Sequence, residues 1–176
     1  MSFQIVVEEG SGNSDANSYT SVGKADTFLE IEGPSSEWDA LDVAGKGLML
    51  ARASRLIDRY SDFTGEPQTN TQALGWPRVH AFDYGVPSEC DRSIPSGEVP
   101  ESLQVATVLL AEALASGEFS AKTPGEGKVQ SLSIPDLSVS LSGAAGPALG
   151  QSLPLPLRVV EYLKHTTYNA HGLRNR

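Results

Sequence analysis

Apolar and polar positions along the chain follow two rhythms. Phe3, Ile5 and Val7 alternate with Gln4, Val6 and Glu8, a period near two that predicts an N-terminal strand, broken at Gly10-Ser11-Gly12-Asn13. From Ser21, a good N-cap, the period becomes helical: Val22, Ala25, Phe28 and Leu29 share one side, and Gly33-Pro34 stops the helix. Ser35 or Ser36 opens a short turn carrying Trp38 and Leu41, after which Asp42 can cap the longest helix, predicted from Val43 to Asp62. Its apolar stripe is Met49, Ala53, Leu56, Ile57, Tyr60 and Phe63.

Thr64 to Pro100 shows no long periodic segment. It is rich in Pro, Gly and Asp, with Trp76, Phe82 and Tyr84 as expected aromatic anchors, and a loop of that length is expected to be functional or covered by a partner. A third helix is predicted over Pro100 to Ser116. It carries no charge between Glu101 and Glu112 and is apolar on nearly every side, so its own fold or a neighbouring subunit should bury it. Val129, Leu132 and Ile134, then Leu137, Val139 and Leu141, flank Pro135-Asp136 and read as a hairpin. Ser142 to Pro156 is mostly Gly, Ala, Pro and Ser, a flexible connection. A last helix is expected from Leu157 to Tyr168, with Val160, Leu163 and Thr167 on one side.

The expected fold is therefore mainly α: a small bundle of about four helices with an N-terminal strand, a long central loop and a β-hairpin. The expected organisation is a helical body over 1–141, a linker over 142–156 and a terminal helix with a basic arm over 157–176.

Charge adds an asymmetry. The 176 residues carry 13 Lys plus Arg and 22 Asp plus Glu, net -9, yet residues 1–150 sum to -12 and residues 151–176 to +3. An acidic body with a basic C-terminal arm is a pattern of docking tails, and also of solvated chain ends. The acidic balance argues against duplex binding, which needs Lys and Arg in excess. One cysteine, Cys90, excludes an internal disulfide framework and a multi-cysteine metal site. No charged-then-apolar leader opens the sequence, so secretion is not expected. The uncharged stretch Leu137 to Leu157 is interrupted by Pro, Gly, Ser and Gln, and no membrane contact is expected.

Catalytic and cofactor motifs fail one by one. Gly125-Glu126-Gly127-Lys128 is followed by Val129 and lacks the glycine a phosphate-binding loop requires five residues before the glycine that precedes its lysine. Gly10 and Gly12 lack the third glycine of a dinucleotide fingerprint, Asp15 standing there. His80, Asp83 and Cys90 do not share metal-ligand spacing, and nothing activates Cys90. No enzyme, cofactor or metal is expected. Arg52, Arg55 and Arg59, at i, i+3 and i+7, share one helix face and are candidates for phosphate or intersubunit contacts; Asp58 and Asp62, each three residues beyond an arginine, offer the alternative of a solvated, offset stripe. Pro77 holds Trp76 extended, so that its indole can plug an apolar surface.

Several segments resemble a family of tailed-bacteriophage proteins. They are Ile5-Val6-Val7-Glu8-Glu9-Gly10, Ala16-Asn17-Ser18-Tyr19, Ala25-Asp26, Trp38 with Leu41, Arg52-Ala53-Ser54 with Ile57-Asp58, and Phe63 with Gly65. The most specific is Gln72-Ala73-Leu74-Gly75-Trp76-Pro77-Arg78, and Ile94-Pro95 and Val99-Pro100 complete the order over roughly Ile5 to Gly117. The family is similar to head–tail connectors, also called adaptor or head-completion proteins, whose members are often labelled putative DnaT-like single-stranded-DNA-binding proteins.

The resemblance implies a ring of about twelve copies under the portal protein, joined below to a stopper or tail protein, with duplex DNA sliding through a lumen. It implies a virion neck protein made in the host cytoplasm, with Trp38, Trp76, Pro77 and Arg78 as structural anchors. Lys164, His165, Tyr168, His171, Leu173, Arg174 and Arg176 would form the arm that docks on the portal. The second label implies replication and a single-stranded-DNA partner. That needs a basic groove with aromatic platforms, for which the chain offers the three arginines, the arm and 12 aromatic residues in a body of -12. On net charge the connector is the expectation, and single-strand binding the alternative.

Overall fold

The computed structural model describes residues 3–33, 35–87, 90–117 and 155–167. Five helices and two short antiparallel strand pairs make up the described fold: α1 Val22–Glu32, α2 Ser36–Asp39, α3 Val43–Tyr60, β1 Glu66–Pro67, β2 Arg78–Val79, β3 Ala81–Phe82, β4 Ser93–Ile94, α4 Glu101–Ala115 and α5 Leu157–Leu163. The mainly α class read from the sequence is the class observed.

Capping chemistry sets the helix starts. The Ser21 hydroxyl accepts from the Lys24 amide at 3.3 Å, and an Asp42 carboxylate oxygen accepts from the Gly45 amide at 2.7 Å. Gly33 ends α1 at φ 140°, its amide donating to the Leu29 carbonyl at 2.9 Å. Around α4 the other helices assemble. Leu103, Ala106, Val108, Leu109, Leu110, Ala111 and Ala113 are buried there, against α3, α5, α1 and α2 of the same chain. The apolar third helix thus needs no neighbouring subunit to cover it. Leu50, Ala53 and Ile57 supply the inner side of α3, while Met49 and Leu56 lie at the margin of the core.

Two expectations change in detail. Residues 5–8 make only an isolated parallel bridge, Val7 to Ser18, and not a strand. The reason is local: the Val6 carbonyl accepts from Asn17 and Ser18, the Glu8 amide donates to Ser18 at 2.9 Å, and the chain then wraps around the Glu8 carboxylate. The central loop, without periodicity in sequence, contains both strand pairs: Glu66 and Pro67 face Val79 and Arg78, and Ala81 and Phe82 face Ile94 and Ser93. Strands of two residues are too short to show a period. The expected hairpin over 129–141 and most of the 142–156 linker lie outside the described residues.

The chain's last described helix belongs to the core. Leu155, Val159 and Leu163 are buried, α5 packs on α4, and Thr167 bridges to Phe63. No helix among the described residues is long and apolar enough to cross a membrane, and no group of three metal-ligating side chains occurs among them.

Candidate functional site

The outward side of α3 carries a row of three arginines. Arg52, Arg55 and Arg59 are all exposed, and at 100° per residue they fall within an arc of about 60°. Among the described residues none of the three makes an ion pair. The Arg59 guanidinium lies 5.7 Å from the centre of the Tyr60 ring, which it can share as a cation–π partner.

The carboxylate that should offset Arg55 is turned away. Asp58 accepts from the Tyr19 hydroxyl and, at 3.0 Å, from the Gly75 amide. The Tyr19 oxygen in turn accepts from the Trp76 amide at 3.2 Å, and the Tyr19 amide donates to the Ser54 hydroxyl at 3.2 Å. Desolvation by burial pushes the Tyr19 hydroxyl well above its ordinary value, and the neighbouring Asp58 charge adds to that. Burial likewise raises the Asp58 carboxyl, against the pull of Tyr19, Gly75 and Arg78. Helix α3 therefore presents arginines outward while its one acid ties the Gly75-Trp76 turn from within.

That inversion has a measurable consequence. A raised folded-state value means that the folded chain holds the Asp58 proton more tightly than the unfolded chain does. The site's contribution is full below the ordinary 3.8 and is lost as pH rises through the folded value. The stability of the wild type minus that of Asp58→Asn is expected to grow as pH falls from neutral toward 4, by at most about 1.4 kcal/mol per pH unit. Paired urea titrations of the two proteins read this directly, and a difference that shrinks on acidification refutes it. Asp26 runs the other way. Burial raises it, but hydrogen bonds from Lys46 and Trp38 outweigh that and hold it low, so its contribution is present above 3.8 and lost as pH falls through the folded value.

The remaining residues singled out in sequence are mostly interior or tied. Trp38 is buried, its indole donating to Asp26 at 2.8 Å with the Lys46 ammonium 5.4 Å from its ring centre. Trp76 is 0% exposed, precedes a cis Pro77 and meets Phe63 edge to face at 6.0 Å. The Pro77 carbonyl accepts from the Gln68 amide and the Gln72 side chain, both at 3.1 Å. Arg78 is a clamp, donating to the carbonyls of Thr64 and Gly65 at 2.6 Å and of Gly75 at 3.0 Å.

Phe82 and Tyr84 correct the sequence reading. They are 46% and 47% exposed and so do not anchor the core. Of the proposed arm, Lys164 is exposed and pairs with Glu161, and His165 Nδ1 lies 3.1 Å from Asp83. Tyr168, His171, Leu173, Arg174 and Arg176 lie outside the described residues. The sequence reading missed the inward roles of Tyr19, Asp58 and Glu8; their presence in the resembling segments was the one signal pointing to them.

The family described as "putative DnaT-like ssDNA binding protein" matches the chain over residues 3–173. No curated protein and no solved structure matches it. The connector reading is thereby corrected. The family's description is of single-strand binding, which displaces the portal protein, the stopper or tail protein, the ring of about twelve copies and the passing duplex as the partners indicated. The physical reason is in the structure. Tyr19, Trp38, Trp76 and Arg78, which carried the resemblance, hold the chain to itself, and such residues identify a fold and not what it docks to.

Proposed function

We propose that this chain, which belongs to the family of putative DnaT-like ssDNA binding proteins, binds single-stranded DNA through the outward face of α3. The family match over nearly the whole chain carries the reading. Three exposed arginines on one face, none of them in an ion pair among the described residues and with Asp58 turned inward, support it: such guanidinium groups are suited to phosphates. The overall -9 does not oppose this, because charges farther away than about 8–10 Å are screened at ordinary ionic strength while a local patch is not. The reading is of binding without a chemical step.

Anisotropy of a labelled oligothymidylate tests it. Binding is expected at low salt, weakening as salt rises. The triple variant R52A/R55A/R59A should bind at least tenfold more weakly, with the log–log salt slope reduced by roughly 2, at about 0.7 per lost phosphate contact. Because the three side chains are exposed, the melting temperature should not move. Unchanged affinity in a folded triple variant would remove α3 as the interface, and absence of binding by the wild type at low salt would remove the function.

A further inference from the structure

Helix α1 has a buried face, with Ala25 and Leu29, and a second stripe turned away from it. Lys24, Thr27, Phe28 and Ile31 follow one another there at i, i+3, i+4 and i+7. With Gln104, Val105 and Val108 of α4 they line an open trough of about 560 Å³. The Lys24 ammonium donates to the Gln104 side-chain oxygen at 3.1 Å, which ties the two walls together. Two helices that present such stripes to one trough have the shape that receives a third helix.

Features of α1 itself identify that helix. Thr20, Gly23, Lys24 and Thr27 also stand at i, i+3, i+4 and i+7, the four corners of a hole in knobs-into-holes packing, and all four line the trough. Gly23 keeps the hole open: a Cβ added there would meet nothing within 4 Å. The knob is on the same helix. Ile31, 80% exposed, lies eight residues beyond Gly23, about 12 Å along the axis. A two-fold axis crossing α1 at Thr27 makes Ile31 of either copy level with Gly23 of the other. A hole and a knob equally spaced about one point are self-complementary, as an isologous pair requires.

Charge agrees. Lys24 lies in the first turn of α1 and Glu30 and Glu32 in the last, each against the helix dipole. None of the three makes an ion pair among the described residues. The same axis brings Lys24 level with Glu30 of the other copy, so each unfavourably placed charge gains an opposite one.

We propose that this trough is the interface of a two-fold dimer. The α1 helices of two copies run antiparallel, and Ile31 of each enters the hole at Gly23 of the other. The pair closes at two copies. Its residues lie outside α3, so its failure would leave the single-strand reading untouched.

Sedimentation equilibrium of the full chain tests this. The mass of the wild type should rise from one chain toward two as its concentration is raised. Ile31→Lys removes the knob and Gly23→Leu fills the hole, and each should weaken dimerisation at least about tenfold. Both positions are exposed, so neither change should lower the melting temperature of the dilute protein. Lys24→Glu should weaken the dimer, and adding Glu30→Lys and Glu32→Lys should restore it, because the swap keeps facing charges opposite. A wild type that stays a single chain at about 1 mM overturns the proposal. If Ile31→Lys then lowers the melting temperature of that monomer, the trough belongs to a segment of the same chain. A wild-type dimer that Ile31→Lys and Gly23→Leu both leave intact overturns the proposal as well, by placing the interface elsewhere.

Discussion

Replacing Arg78 by alanine is expected to lower the free energy of unfolding by roughly 3–5 kcal/mol. The guanidinium is the common donor to three backbone carbonyls: Thr64 and Gly65 on one side of the central loop and Gly75 on the other. It also lies 5.9 Å from the centre of the Phe63 ring and near the half-buried Asp58. Its removal leaves three carbonyls short of donors and one carboxylate short of its cation, at the turn that seats Trp76. Lysine should recover only part of the loss, because a single ammonium cannot match a planar fork aimed at three acceptors. Urea denaturation of Arg78→Ala and Arg78→Lys measures this, and a loss below about 1 kcal/mol for alanine would mean that the clamp is redundant. Since Arg78 is committed to carbonyls, the single-strand affinity of the folded variant should match the wild type. That separates the residues that build the site from those that touch the ligand.

How far the site could be read from the sequence depends on how far away the deciding partner lies. The caps Ser21 and Asp42, the stop at Gly33 and the arginine face of α3 rest on neighbours within one or two turns, and all are legible in the residue order. Asp58 is different. Three positions after Arg55 it reads as a surface partner, but Tyr19 and Gly75, 39 and 17 residues away, draw it inward. No local pattern encodes that choice. Phe82 and Tyr84 fail for a related reason: aromatic residues in an aperiodic loop read as anchors, and only the tertiary fold, which leaves both nearly half exposed, shows that they are not. Net charge misleads in its own way. It sums over the whole surface, whereas a strand of DNA responds to the field within a Debye length, where α3 sets Arg52, Arg55 and Arg59 against an acid facing the interior.

The second large effect is expected at Glu8. Its side chain, 2% exposed, accepts from the amides of Gly10 at 2.8 Å and Gly12 at 3.0 Å on one oxygen, and of Asn13 at 2.8 Å on the other. The loop so formed reaches two distant parts of the chain. Gly10, at φ 99°, sits so close to the backbone of Gly97 that a Cβ would fall 1.7 Å from its carbonyl oxygen, and the Asn13 carbonyl accepts from the Ala73 amide at 3.3 Å. One carboxylate thus holds the N-terminal segment against both the turn before α4 and the loop that leads to Trp76. Glu8→Ala leaves these amides without their acceptor, two of them in buried glycines, at a cost of roughly 3–5 kcal/mol. Against a total of about 5–15 kcal/mol for a domain, that is a large fraction of the stability. Glu8→Gln should fall between the two. Its carbonyl oxygen can keep Gly10 and Gly12, but its NH2 then meets the Asn13 amide donor to donor. The alternating Phe3-to-Glu8 pattern predicts a strand, whose Glu8 would point to solvent and tolerate alanine within about 0.5 kcal/mol. Urea midpoints for the wild type, Glu8→Gln and Glu8→Ala decide between the two pictures: a graded loss supports the buried carboxylate, and three coincident curves would return Glu8 to the surface of a strand.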